Sequence, residues 1–298
     1  MRFGVLALLA TVAKPQFVYA QSPDCTGDQS RSAAAAENIK ITIANVEFSG
    51  ENPLSNDARI ELLNRIKQLK LGISPGKDDR DWLAEVEAPI LEALQKEGYF
   101  QAHPESTPYL IRAEVHERIY VVNVGIDSGP QYRLGEIHFS GETVFATTEL
   151  RAQFSLRAGD LFDVPKFRKG MESMARIYSG KGYIDLVTEP EFEMVAKLKE
   201  NTSEKSPVIS VLIKVDEGRQ YHVRAVEVLG LDQQMEQGLK SQLGPGRVVD
   251  AISLWNFFEE HKAALPANIS PEEAIHLRRD FANASVDFFV DFRPCPQT

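Results

Sequence analysis

A ten-residue segment recurs three times along the chain, and its spacing constrains the fold more than any other feature of the sequence. The copies are residues 41–50, 132–141 and 221–230, and each copy ends in a glycine. These closing glycines lie about 90 residues apart in both intervals, a period that is too long for one turn of a solenoid and fits small domains in tandem. The sequence therefore predicts three units built on one plan.

Apolar residues alternate along each copy, which is typical of a β-strand with one buried face. The alternation changes parity at the same place in every copy: in the first copy Ile41 and Ile43 share one parity, whereas Val46 and Phe48 share the other. A single inserted residue moves the side chains that follow it to the opposite face of a strand. The pattern predicts either a β-bulge or a strand whose two ends are buried differently.

The same order of patterns follows each copy. Apolar residues at helical spacing lie on both sides of a glycine-containing turn, at residues 75–77, 158–160 and 245–247, and an alternating strand closes each unit. In the first two units the second helical stretch ends at a Gly-Tyr pair, which begins at Gly98 and at Gly182. The predicted fold class is α+β, with each unit in the order strand-helix-helix-strand-strand and two helices on one face of a three-stranded mixed sheet.

The third unit departs from this plan. It lacks the Gly-Tyr pair. Residues 275–280 fit a middle strand, but residues 270–273 have the features of a helix start, which favours a helix in this part of the chain instead. The sequence leaves the structure of this segment open. The predicted boundaries are 39–131 for the first unit, 132–220 for the second and 221–298 for the third.

The first 20 residues have the features of a secretory signal peptide. Arg2 precedes an apolar run at residues 4–13, and residues 18–20 offer a small-x-small cleavage site. This run is about half as long as the roughly twenty residues that a membrane-spanning helix needs. We expect cleavage of residues 1–20, a flexible leader over 21–38 and a location outside the cytoplasm. The alternative is an uncleaved apolar run that tethers the chain to the inner membrane.

The cysteine content and the charge restrict the class of protein. Two cysteines, Cys25 and Cys295, are too few for a metal cage or a disulfide-rich scaffold. In an oxidising compartment they can form a disulfide with each other, which would close a long loop, or with a cysteine of a partner protein. The net charge of -10 argues against a nucleic-acid-binding surface, because such a surface needs a concentrated basic face.

No residue pattern in the chain predicts catalysis, a cofactor site or a metal site. The six histidines show no metal-ligand spacing, and none of them neighbours a cysteine. Residues 72–77 resemble a phosphate loop, but they are one residue short and align with the helix–helix turns of the other units. We therefore expect a protein that is not an enzyme. A hydrolase with a site between units is a further hypothesis, which would require histidine and carboxylate groups that converge in the structure.

Four segments of the second unit, residues 132–141, 159–162, 178–183 and 215–218, carry a pattern that resembles POTRA domains. These are the polypeptide-transport-associated repeats of outer-membrane barrel-assembly and two-partner-secretion factors. The first unit matches the pattern in outline, and the third matches it only in its first and last strands. Barrel-assembly factors continue into a run of alternating membrane strands, whereas this chain reaches Thr298 without one. The resemblance is therefore to the periplasmic part of such factors, without the barrel.

This resemblance implies a non-catalytic docking module in the periplasm, associated with the outer membrane. Its expected partners are unfolded or extended outer-membrane polypeptides, proteins of the assembly machinery and an outer-membrane barrel protein. The expected role is accessory to outer-membrane protein assembly or polypeptide transport. With an uncleaved N-terminal anchor, the alternative is an envelope or division scaffold tethered to the inner membrane.

The second strand of each unit is the expected edge of its sheet, where an extended chain can add as a further strand. We expect this strand over residues 183–195 in the second unit and over 99–111 in the first, where Pro104 and Pro108 remove backbone donors. Such prolines fit a binding edge and fit equally an edge protected against aggregation. The predicted polypeptide-binding edge consists of six residues of the second unit: Tyr183, Ile184, Asp185, Leu186, Val187 and Thr188.

Overall fold

The computed structural model of the chain describes residues 39–50, 52–73, 80–198, 205–266 and 269–293. The predicted signal peptide and leader, both cysteines and the turn at 75–77 lie outside these residues. Within the described ranges, no helix has the length and apolar character needed to cross a membrane.

The first unit has a sheet of four strands in the order β2-β1-β4-β3. Its elements follow along the chain as β1 (Ile39–Ser49), α1 (Asn56–Lys67), β2 (Leu71–Ile73), α2 (Trp82–Lys96), β3 (His103–Ala113) and β4 (Glu117–Asp127). Strands β1 and β4 are parallel, and the other pairs are antiparallel. The sequence pattern does not predict the three-residue strand β2, which pairs with the outer side of β1.

The second and third units each have a three-stranded sheet, in the orders β5-β7-β6 and β8-β10-β9. The elements of the second unit are β5 (Arg133–Ser140), α3 (Thr147–Arg151), α4 (Val164–Ser179), β6 (Val187–Leu198) and β7 (Lys205–Asp216). Those of the third are β8 (His222–Leu229), α5 (Gln233–Gln242), α6 (Ala251–Glu260), a 3-10 turn (Lys262–Ala264), α7 (Pro271–Ala274), β9 (Ile275–Asp280) and β10 (Ser285–Asp291). In every unit the first and last strands are parallel neighbours and the last two strands are antiparallel, which confirms the predicted α+β fold with mixed sheets.

The change of parity in the repeated segment is a β-bulge in all three units. The pairing register shifts by one residue at Ala44 in β1, within residues 135–136 in β5 and at Arg224 in β8. In β5 the bulge includes Gly135, whose backbone lies close to the neighbouring strand β7. A Cβ at this position would collide with the side chain of Ser210. Of the two interpretations that the alternation allows, the β-bulge is therefore confirmed, at equivalent places in the repeat.

The third unit contains both of the structures that its sequence left open. The Ser270 hydroxyl accepts a hydrogen bond from the Glu273 N–H, and the Glu273 carboxylate accepts one from the Ser270 N–H, which caps the short helix α7. Strand β9 begins directly after this helix, at Ile275. The middle strand of the third unit is therefore present, with six residues.

Each unit has its own hydrophobic core, formed by its helices and one face of its sheet. The cores are linked, because a side chain that follows the second main helix of one unit enters the core of the next. Phe100 lies against the core of the second unit, with its ring 5.5 Å from that of Phe162, and Ile184 lies in the core of the third. These two apolar contacts mark the connections between the units.

Candidate polypeptide-binding edge

Only part of the predicted binding edge belongs to a strand in the structure, and the rest connects the second and third units. Strand β6 begins at Val187, so only Val187 and Thr188 of the six predicted residues belong to the strand. The prediction that the strand starts at Tyr183 is wrong, because the side chains before Val187 pack into two different cores. Tyr183 packs against the core of the second unit, whereas Ile184 is 7% exposed within the core of the third.

Asp185 and Leu186 belong to the connection between units and not to the strand. The Asp185 carboxylate accepts a hydrogen bond from the Tyr221 hydroxyl at 2.5 Å and pairs with the Arg279 guanidinium at 3.4 Å. Burial and the hydrogen bond with Asp185 raise the pKa of Tyr221 to about 12, so the phenol stays protonated and donates. Leu186 packs against the core of the second unit. Asp185 therefore acts as a structural contact between the second and third units.

The two connections between units, here called the first and second joints, repeat the same backbone contact. At the first joint the Tyr132 N–H donates a hydrogen bond to the Gly98 carbonyl at 2.8 Å; at the second, the Tyr221 N–H donates to the Gly182 carbonyl at 2.9 Å. Both glycines have a positive φ, 84° and 83°, and a Cβ at either position would approach the carbonyl oxygen of the joint tyrosine to 3.0 Å or less. The Gly-Tyr pairs of the sequence therefore end a helix and also shape a joint.

The side-chain contacts of the joints repeat as well. The Tyr132 hydroxyl donates to the Gln101 side chain at 2.9 Å, as the Tyr221 hydroxyl does to Asp185. Gln101 lies three residues after Gly98, and Asp185 lies three residues after Gly182. This matched spacing is the signal in the sequence that could have assigned Asp185 to a joint.

Strand β6 lies at the edge of the second sheet, directly after the second joint. All twelve of its residues pair with β7 in one uninterrupted antiparallel register, from Val187 opposite Asp216 to Leu198 opposite Lys205. Among the described residues, no strand pairs with the other side of β6. The N–H and C=O groups on that side, here called the β6 edge, can therefore pair with an added strand.

The edges of the other two sheets offer less continuous backbone. Strand β3 is nearly as long as β6, but Pro104 and Pro108 lack N–H groups, and a bulge at Ile111 breaks its register. Strand β9 has only six residues. β6 contains one proline, Pro190, and no bulge. Within the described part of the chain, β6 is thus the longest edge strand with an unbroken register.

The two faces of β6 differ in chemistry. On the face that packs against the helices, the ring of Phe192 lies 5.1 Å from that of Phe100 and 5.9 Å from that of Phe167. Side chains of the alternate parity point away from the helices, and all of them from Val187 to Val195 are exposed. This second set, here called the outer row, consists of Val187, Glu189, Glu191, Glu193 and Val195.

Lys214 on the neighbouring strand β7 reports the electrostatics of the outer row. Its ammonium group lies 2.6 Å from the Glu191 carboxylate. This hydrogen bond, together with the negative charges of Glu191 and Glu189, raises the pKa of Lys214 above its ordinary value. The outer row therefore stabilises a cation on an adjacent strand.

Glu217 is a buried carboxylate whose contacts are structural. It accepts hydrogen bonds from the backbone N–H groups of Thr143 and Val144, at 2.7 and 2.9 Å, and from the hydroxyls of Thr143 and Tyr178. Burial alone would raise the pKa of Glu217, but these hydrogen bonds outweigh it and hold that pKa below the ordinary value. Glu217 thereby ties the end of β7 to α4 and to the loop after β5.

The histidines and acidic residues of the described ranges were compared with the arrangement that a metal site requires. No three His, Cys, Asp or Glu side chains within those ranges are grouped so that they could hold a metal ion. His276 is buried and stacks on Phe289 with ring centroids 6.1 Å apart, while His138 pairs with Glu136 at 2.9 Å on the exposed face of β5. These two histidines lie in different units.

Comparison with known proteins agrees with this architecture. The POTRA family model, described as the surface antigen variable number repeat, matches residues 132–218. A curated protein of Treponema pallidum (strain Nichols), named "Putative outer membrane protein assembly factor", is 21% identical over 196 residues, which make up 65% of this chain and 22% of that protein. The match thus spans less than a quarter of that relative's length.

Among solved structures, the crystal structure of Haemophilus influenzae BamA POTRA3-5 has the same fold. It matches with a TM-score of 0.59 at 14% identity, and the match covers 86% of this chain and 98% of that one. The resemblance found in the sequence is confirmed: residues 132–218 match the POTRA family model, and the described chain has the fold of POTRA domains in tandem.

Proposed function

We propose that this protein is a non-catalytic binding module that takes up extended polypeptides or partner proteins by strand addition, in the service of outer-membrane protein assembly or polypeptide transport. The observation that carries this proposal is the β6 edge, with twelve residues in one register and one side without a partner strand among the described residues. An extended chain would use its own backbone groups to continue the second sheet.

Strand addition suits a binder of many different clients. The hydrogen bonds come from the backbone, which every unfolded polypeptide shares, so this backbone contribution to affinity is nearly independent of the client's sequence. The β6 edge is also held in place from both ends of the second unit: the second joint precedes it, and Phe192 anchors it against Phe100 of the first unit. An edge that is already ordered loses little conformational entropy when a client binds.

The compartment follows from the same proposal. The signal-like features of residues 1–20 and the similarity to an outer membrane protein assembly factor both favour the periplasm. In that compartment, unfolded outer-membrane polypeptides and assembly proteins are the proposed partners, and a barrel protein of the outer membrane is the proposed neighbour.

Photo-crosslinking from single positions tests the proposal. A photoreactive side chain is placed at Thr188 or Met194 in β6 of the full chain and, as a control, at the exposed Glu172 on α4. An unfolded outer-membrane barrel protein, diluted from urea, serves as the client. We expect crosslinks from both β6 positions and none above background from Glu172. Absence of crosslinks from β6, or equal yields from all three positions, would overturn strand addition at this edge.

A further inference from the structure

The outer row of β6 has a regular pattern that backbone pairing alone does not require. Three glutamates at alternate positions, Glu189, Glu191 and Glu193, are flanked by Val187 and Val195, and the two valines are 40% and 42% exposed. The row reads the same from either end. Its pattern would therefore be met in the same way by a parallel or an antiparallel added strand.

A strand added at the β6 edge would bring its own side chains beside this row. Side chains directly opposite each other on one face of paired strands lie about 5 Å apart, and opposite charges there are favourable while like charges are not. Three alternate positions of the added strand would face carboxylates, and the positions at both ends would face exposed valines.

The strand on the other side of β6 already shows this arrangement. Lys214 of β7 stands opposite Glu189 in the register and places its ammonium 2.6 Å from the Glu191 carboxylate. Lys214 is thus a cation that this row already holds in an ion pair. A lysine or arginine on an added strand would occupy the corresponding place on the free side.

From these contacts we infer that the β6 edge selects extended segments in which lysine or arginine occupies three alternate positions, with an apolar residue two positions beyond each end. This selectivity rests on the proposed function, because it acts on a strand that has been added to β6.

The same row acts against self-association. Two copies of the chain that paired through their β6 edges would bring glutamates of one copy beside glutamates of the other. Protection of the edge and selection of a cationic client are therefore two effects of one set of charges. Only the second effect predicts that a cationic strand binds better than a neutral one.

Designed nine-residue peptides test the inference on the full chain. The probe has valine at both ends, lysine at positions three, five and seven, and threonine elsewhere. One comparison peptide replaces the lysines by serine, a second places the three lysines in succession, and a third carries N-methyl groups on alternate amides to block strand pairing. Dissociation constants come from fluorescence anisotropy, and hydrogen exchange locates the bound peptide.

We expect the alternating lysine peptide to bind at β6 about tenfold more tightly than the serine peptide, and more tightly than the other two. The combined substitution Glu189→Gln, Glu191→Gln and Glu193→Gln should remove this preference. The matched control Glu259→Gln, Glu260→Gln and Glu272→Gln changes the net charge equally on the third unit and should retain it. Replacing the three glutamates of the row by lysine should make a peptide with three alternating glutamates the preferred ligand.

The outcomes separate the inference from the function on which it rests. If the serine and lysine peptides protect β6 with equal affinity, charge selection is overturned while strand addition stands. If the N-methylated or the consecutive-lysine peptide binds as tightly as the probe, the attraction does not depend on strand pairing, and the inference is likewise overturned. If no peptide protects β6, the inference and the proposed strand addition are overturned together.

Discussion

The joints between units resemble each other closely, whereas the edge strands of the three sheets differ. The first and second joints repeat their contacts almost residue by residue, from the glycine carbonyl to the tyrosine hydroxyl. The edge strands β3, β6 and β9 differ in length, in proline content and in charge. The difference indicates that one connecting geometry serves both joints, whereas each unit presents a different surface to other molecules.

The physical reason lies in what each region must satisfy. A joint buries backbone groups and a tyrosine ring, so its hydrogen bonds must be made and its glycine must leave room for the neighbouring backbone. An exposed edge strand makes no such demand on its outward side chains. Its sequence is therefore free to differ from unit to unit in prolines, bulges and charges.

The largest effect should come from breaking a joint. Tyr221 is 1% exposed and contributes to two units, so Tyr221→Ala should lower the free energy of unfolding by about 4 kcal/mol. Met194→Ala on the β6 edge, where the side chain is 44% exposed, should cost less than about 1 kcal/mol. Urea unfolding of the full chain measures both values. Equal losses would contradict the division between joints and edges.

The residue that follows the last strand makes different contacts in the first and second units, unlike the residues of the joints. Glu217→Ala would leave the Tyr178 hydroxyl and two N–H groups without their buried acceptor, at a cost of about 3 kcal/mol. Ser128 holds the equivalent position in the first unit and makes only a local contact with Gly129, so Ser128→Ala should cost less than about 0.5 kcal/mol. Urea unfolding of the two variants tests this asymmetry, and a larger loss from Ser128→Ala would refute it.

Two glycines with positive φ allow the cost of backbone strain to be measured apart from the cost of a close contact at a joint. Gly182→Ala would add strain and place a Cβ 2.7 Å from Val248, whereas a Cβ at Gly159 would have no neighbour within 4 Å. We expect losses of about 3 kcal/mol for Gly182→Ala and about 1 kcal/mol for Gly159→Ala in thermal unfolding. Equal losses for the two variants would show that the close contacts at the joint add nothing to the free energy of unfolding.

The smallest effect concerns alkaline pH at the second joint. The pKa of Tyr221 is raised to about 12 when the chain is folded, against an ordinary value near 10 when it is unfolded. The folded chain holds this proton more tightly, so the associated stability is complete below about pH 10 and is lost as the pH rises towards 12.

Tyr221→Phe should cost about 1 kcal/mol at neutral pH and should flatten this alkaline loss. Tyrosinate absorbance and urea unfolding, followed from pH 9 to 12, measure the two effects. An unchanged pH profile in Tyr221→Phe would show that another group causes the alkaline loss.

Repeated patterns in the sequence predicted the order of the strands and helices in each unit, whereas the alternation before β6 predicted the wrong start for that strand. The repeated parity change predicted the bulge at Ala44 and Arg224, because alternation over a strand reports directly on burial. A partial alternation like that of a strand also occurs at Tyr183, Ile184 and Leu186, yet these side chains pack into two different cores. A single sequence does not reveal into which core a side chain packs.

Other parts of the structure depend on contacts between distant segments. Strand β2 has three residues and forms because β1 lies beside it, so no local pattern predicts it. The sequence predicted that the segment containing β6 lies at an edge, but the direction in which its glutamates point depends on the packing of Phe192 against Phe100 and Phe167.

Hydrogen exchange of the β6 backbone amides in the full chain tests the central claim most directly. Exchange is followed with and without an extended polypeptide in excess. We expect the outward N–H groups of β6 to become protected when the polypeptide binds, while the amides of β3 change less and those of the helices do not change. Binding that leaves the exchange of β6 unaltered, or that protects a helix face instead, would contradict strand addition at this edge.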